Sequence, residues 1–271
     1  MAKKQLNEMS FLDHLEELRW LLVRSTSAVL IMAVVTYFFS DFIFDTIIFA
    51  PTSTSFFTYT FFCDLSHQLG ITDSICITDL PFIIQNTSME GQINMFIWTC
   101  ITAGFILAFP FILWELWKFI SPALYEKERK NVRVFIFIAS IFFFLGVLFG
   151  YYVIVPMSIN FSATFSISKM VQNQFTIDSY IGMLKTSVIA SGLFFELPVI
   201  IYFLTKLGLV TPLFLRKYRK YSVVIVLLIS AIVTPPDVVS QIIVAIPMLL
   251  IYEASIFISV FVYKNKNKEN V

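Results

Sequence analysis

Six apolar stretches divide this chain, and a lipid bilayer is the solvent that suits them. Residues 21–39, 93–113, 134–155, 180–204 and 242–262 are close to the roughly 20 residues a helix needs to cross a ~30 Å hydrocarbon core. Residues 221–234 reach only about 21 Å at 1.5 Å per residue. In lipid each backbone N–H and C=O must find a partner within the protein, so runs of this kind read as helices. The fold class predicted is an all-α polytopic membrane protein with six transmembrane helices, in one domain over residues 1–271. Composition agrees. Charged residues make up 14% of the chain, against about a quarter in soluble domains. The net charge of +1 lacks the basic excess that a nucleic acid partner requires.

Charge sets the expected orientation. Of the 19 Lys and Arg residues, all but Lys169 and Lys185 fall on one side if the N-terminus is inside. The positive-inside rule then puts both termini in the cytoplasm. Residues 1–20 form a cytoplasmic amphipathic start. Ser10 and Asp13 read as a capping box, and Phe11, Leu15, Leu18 and Leu22 share one helical face. The first apolar run is too long for a cleavable signal and lacks a small-residue cleavage site, so it is expected to stay as an anchor. Residues 40–91 form a long outer loop. It holds Asp41, Asp45, Asp64, Asp73, Asp79 and Glu90 and no Lys or Arg; its short apolar stretches suit surface helix or plug-like packing. Pro156 is expected to stop the third span and Pro247 to break the sixth. Residues 263–271 are a cytoplasmic tail.

A few residues stand out as carriers of chemistry. Glu196 lies deep in the fourth span, where a carboxylate costs a few kcal/mol, so it should face a cavity or a polar partner. Pro198 frees a nearby carbonyl and kinks that helix. The bland reading is a neutral, hydrogen-bonded Glu used in packing. Glu17 and Glu128 flank the first three spans at the cytoplasmic interface. Such a pair suits two guanidinium groups held by bidentate hydrogen bonds; the bland reading is salt bridging to Arg19 and Arg129, worth little when exposed. Asp237 and Gln241 follow a double proline and read equally well as loop caps. Cys63 and Cys76 share the outer loop, where an oxidising compartment would permit a disulfide. No His/Cys/Asp/Glu group shows metal-ligand spacing. No P-loop, nucleophile elbow or dinucleotide fingerprint is present in the sequence. These absences argue against an enzyme with a familiar motif, although intramembrane enzymes use sparser ones; the expectation is no enzyme, no cofactor and no metal.

Four motifs carry a family resemblance. Phe11-Leu-Asp-His-Leu-Glu-Glu-Leu-Arg19 resembles the N-terminal signature of TatC, the largest core subunit of the twin-arginine protein translocase. Phe119-Ile-Ser-Pro-Ala-Leu-Tyr-Glu-Lys-Glu-Arg129 is similar to its first cytoplasmic loop. Phe195-Glu-Leu-Pro-Val199 resembles its fourth helix, and Thr234-Pro-Pro-Asp-Val-Val-Ser-Gln241 with Ala245-Ile-Pro-Met248 and Glu253 its last turn and helix. The first outer loop looks longer than in the commonest bacterial members.

The resemblance implies a TatC-like bundle with short fifth and sixth helices. It implies a receptor in which Glu17 and Glu128 bind the paired arginines of a signal peptide on folded cargo. Arg19, Phe119, Pro122, Leu124, Tyr125 and Arg129 would shape the same surface. TatA- or TatB-like single-span subunits would dock on the fifth and sixth helices near Glu196. Self-association into a multimeric complex, a bacterial plasma membrane and drive from the proton-motive force also follow; organelle members exist as an alternative location. The competing reading is an ion-coupled secondary transporter using Glu196, which should show a second ionisable group at the same depth and repeat symmetry.

Overall fold

The computed structural model describes residues 11–68, 70, 76, 79–120, 132–168, 170, 173–234 and 238–269. In chain order the helices are α1 (Phe11–Phe38), α2 (Phe57–Gln68), α3 (Gly91–Ile120), α4 (Val132–Phe149), α5 (Val155–Thr164), α6 (Ile177–Phe195), α7 (Leu197–Leu207), α8 (Pro212–Lys217), α9 (Arg219–Val233) and α10 (Val238–Glu269). Two short strands, β1 (Ile83–Gln85) and β2 (Gln174–Thr176), pair in parallel with Ile84 opposite Phe175. Among the described residues, five helical stretches are long and apolar enough to cross a membrane: His14–Phe38, Gly91–Ile120, Arg133–Thr164, Ile177–Leu207 and Gln241–Lys264. The chain clusters into two compact units, one of residues 1–38 and 100–140, the other of residues 39–99 and 141–271.

In the first unit α1 and α3 approach at backbone distance because the contact residue is glycine. A Cβ on Gly104 would fall 2.6 Å from Ala33 N and 2.8 Å from Val29 O. Small interfacial residues of this kind let helices pack without help from water. Thr36 seals the same contact, donating to Ala33 O at 2.8 Å and to Cys100 O at 3.0 Å.

The second unit uses the same device between α6 and the run of α4 into the π-helical turn that follows it. Gly146 and Gly150 are one turn apart, and Cβ atoms there would meet Ser191 O at 2.6 Å and Ser187 O at 2.8 Å. Its apolar core gathers Ile154, Phe194, Val226, Val233, Val244, Ala245 and Met248 from the π-helical turn Gly150–Ile154 and from α6, α9 and α10. The described residues of 40–91 are largely structured. A π-helical turn, Phe42–Ile48, leads to a 3-10 turn, Ala50–Thr52, and then to α2. Tyrosine hydroxyls fasten this segment: Tyr151 donates to Ile47 O at 2.7 Å and Tyr180 to Ile48 O at 2.6 Å. Tyr59 Oη lies 3.0 Å from Pro51 O and 3.3 Å from Pro156 O, and burial pushes its pKa up. A disulfide joins Cys63 to Cys76, with Cα atoms 4.6 Å apart.

Three expectations fail here. Pro156 does not stop the third span; the helix widens into the π-helical turn and continues as α5 to Thr164. Pro156 has no N–H for Tyr152 O four residues back, and Thr58 Oγ1 donates to that carbonyl instead at 2.5 Å. Pro247 does not break the last span, and that sixth helix is not short: α10 runs 32 residues through Pro247. Helices in lipid tolerate proline where neighbouring helices, hydroxyl side chains or a local change of helix type re-satisfy the freed groups. Helix α9, by contrast, has 15 residues, about 22 Å of rise. It stops at Thr234, just before Pro235 and Pro236.

Candidate functional site

On α1, Glu16, Glu17, Trp20, Leu21 and Arg24 recur at the spacing of one helical face. On α3, Glu115, Lys118 and Phe119 occupy adjoining turns of another. Together they line a pocket of about 380 Å³ in the first unit. Glu115 is its electrostatic centre. It is 4% exposed, and each oxygen takes one cation: Arg24 Nη1 donates to Oε2 at 3.2 Å and Lys118 Nζ to Oε1 at 2.5 Å. The two cations are half-exposed, so this is a buried carboxylate neutralised from its solvent side. Arg24 also stands 5.9 Å from the Trp20 ring centre, and Lys118 lies 5.9 Å from that of Trp114.

Glu17 is the unsatisfied member. Its Oε2 is buried and has no hydrogen-bond partner among the described residues. No ion pair joins Glu17 to Arg19 among those residues; the pairing arginine is Arg24, and it goes to Glu115. Phe119 closes one wall, its ring stacked on His14 with centroids 4.4 Å apart. Glu128, Pro122, Leu124, Tyr125 and Arg129 lie outside the described residues, as does Asp237. Glu115, Arg24 and Trp20 were missed as site residues by sequence reasoning. Ending the second span at residue 113 put Glu115 in a loop, whereas α3 extends to Ile120. The signal that finds Glu115 is an acid inside an apolar helix.

The second unit holds a buried carboxylate of its own. Glu196 is 5% exposed and sits where α6 gives way to α7. Its backbone turns the chain: its N–H donates to Leu193 O at 3.2 Å, and its carbonyl accepts from Val199 N and Ile200 N at 3.0 and 2.9 Å. Pro198 opens the first turn of α7, where a missing N–H costs nothing. Glu196 Oε1 is buried without a partner among the described residues. Gln241 ties α10 to α9, its Nε2 donating to Leu227 O at 3.0 Å.

Comparison with known proteins identifies the family. The profile of the Sec-independent protein translocase protein (TatC) matches residues 13–247. The chain belongs to the TatC family. It is similar to the Sec-independent protein translocase protein TatC of Blattabacterium sp. subsp. Periplaneta americana (strain BPLAN), 42% identical over 97% of this chain and 100% of that one. It is similar to TatCy of Bacillus subtilis (strain 168), 33% identical over 100% of this chain and 96% of that one. A crystal structure titled as the twin arginine translocase receptor TatC superposes with a TM-score of 0.70, at 31% identity, over 92% of this chain and 99% of that one.

Proposed function

We propose that this chain is the receptor and core subunit of a twin-arginine translocation system, binding the paired arginines of a signal peptide through Glu17 and Glu128. One observation carries the reading: the buried Oε2 of Glu17, without a hydrogen-bond partner among the described residues, in a pocket walled by Trp20 and Phe119. A buried carboxylate oxygen without a donor is costly until a charged donor arrives. Guanidinium supplies that donor with a planar fork and stacks on aromatic rings, which an ammonium does poorly. The similar crystal structure bears the name of the twin arginine translocase receptor, which supports the same reading.

The site extends to Arg19, Phe119, Pro122, Leu124, Tyr125 and Arg129. TatA- or TatB-like single-span subunits dock on the fifth and sixth helices, with Glu196, Pro198, Asp237 and Gln241 as their polar contacts in lipid. The short α9 lets the bilayer thin locally for folded cargo. The receptor self-associates in the bacterial plasma membrane with both termini cytoplasmic, and the proton-motive force drives transport. The competing transporter reading gains nothing from Glu196, which has no ionisable hydrogen-bond partner among the described residues.

Binding of a fluorescent signal peptide to the protein in lipid nanodiscs tests this. An Arg-Arg peptide should bind at least roughly tenfold more tightly than its Lys-Lys counterpart, and Glu17→Gln should remove most of that preference. Equal binding of the two peptides to the intact protein refutes the reading.

A further inference from the structure

Peptide binding leaves a second constellation unused. Cys63 and His67 stand one turn apart on α2, so their side chains share a face. The disulfide brings Cys76 to that face. His67 Nε2 lies 3.5 Å from Cys76 Sγ and 3.9 Å from Cys63 Sγ. Zinc is held at about 2.3 Å from sulfur and about 2.0–2.1 Å from nitrogen; tetrahedral angles then put sulfur and nitrogen ligands about 3.6 Å apart. The imidazole is therefore already at ligand spacing from both sulfurs. Only the sulfurs would have to part, to about 3.8 Å by the same geometry.

We propose that opening the Cys63–Cys76 disulfide converts this cluster into a Cys2His site for a thiophilic divalent cation of the Zn2+ class. The steps balance. A dithiol or phosphine reductant delivers two electrons and is oxidised in turn, and the sulfur–sulfur bond becomes two thiols. The cation then binds both as thiolates, releasing two protons, and takes the neutral imidazole as third ligand. The fourth position is open to water, because His67 is exposed and both cysteines are half-buried. While the disulfide is closed its sulfurs carry no thiolate charge and do not ligate. Disulfide and metal are therefore exclusive states of one clip, and each ties Cys76 to α2. Spacing along the chain did not reveal the set, because Cys76 lies outside α2.

The test uses the full-length protein in detergent, with Co2+ as a spectroscopic probe. After reduction and removal of the reductant, one equivalent of Co2+ should produce sulfur-to-cobalt charge-transfer absorption that Zn2+ abolishes. The oxidised protein should produce none. His67→Ala keeps both cysteines and should weaken binding at least roughly tenfold, since even the loss of an outer-shell partner costs that much. Cys100→Ser should change nothing, Cys100 being buried elsewhere. No charge-transfer band in the reduced protein overturns the proposal. So does equal affinity in His67→Ala, or loss of helicity by circular dichroism on reduction.

Discussion

Two carboxylates sit in apolar helices of this chain at nearly the same burial, 4% exposed for Glu115 and 5% for Glu196. Glu115 has a cation on each oxygen. Glu196 keeps one oxygen without a partner among the described residues and lies at a helix break. Burial alone therefore does not mark a functional acid. What separates the two is whether the protein supplies its own donors. Glu115 is a structural clamp that holds α1 to the end of α3. On the proposed reading, Glu196 takes its donor from a single-span partner subunit.

The comparison breaks most visibly if the clamp is opened. Replacing both Arg24 and Lys118 with Leu strands Glu115 as an uncompensated charge. We expect a loss of about 2–4 kcal/mol, discounted from the fully buried case because both cations are half-exposed. Unfolding in mixed micelles reads this loss, and adding Glu115→Leu should recover most of it. A triple variant no more stable than the double would mean that the clamp is not what the pair provides.

Glu196→Leu should behave in the opposite way. Removing a desolvated, under-bonded group should leave stability unchanged or raise it by about 1 kcal/mol. Co-purification with single-span subunits should fall severalfold while signal-peptide binding holds. Destabilisation comparable to that of the opened clamp would put Glu196 in the same structural class as Glu115.

Thr58→Val probes a smaller version of the same contrast. Tyr152 O, bereft of the Pro156 N–H, takes its donor from Thr58; losing it should cost about 1–2 kcal/mol. A cost near zero would mean that the π-helical turn satisfies that carbonyl by itself.

Much of the architecture was legible as apolar periodicity and charge, and the limits lie at particular residues. Glu115 and Lys118 made the end of α3 look like loop. In the fold they neutralise one another, so the helix continues past them. Pro156 and Pro247 looked like stops because proline breaks helices in water. In this chain a borrowed hydroxyl serves the first break. The Gly146 and Gly150 pair was readable as a close-packing motif, though its partner, Ser187 and Ser191 on α6, was not. Glu17 and Phe119 could be named from their motifs. Their meeting with Glu115 in one pocket depends on the register of α1 against α3, which Gly104 fixes and no local pattern encodes.

The central claim is that Glu17 meets a signal-peptide arginine directly. A double-mutant cycle addresses it: Glu17→Gln in the protein against arginine-to-citrulline in the peptide, with binding measured for all four combinations. Direct contact predicts a coupling of about 1.5 kcal/mol or more, the citrulline peptide barely noticing the loss of Glu17. Strictly additive effects would mean that the arginines bind elsewhere.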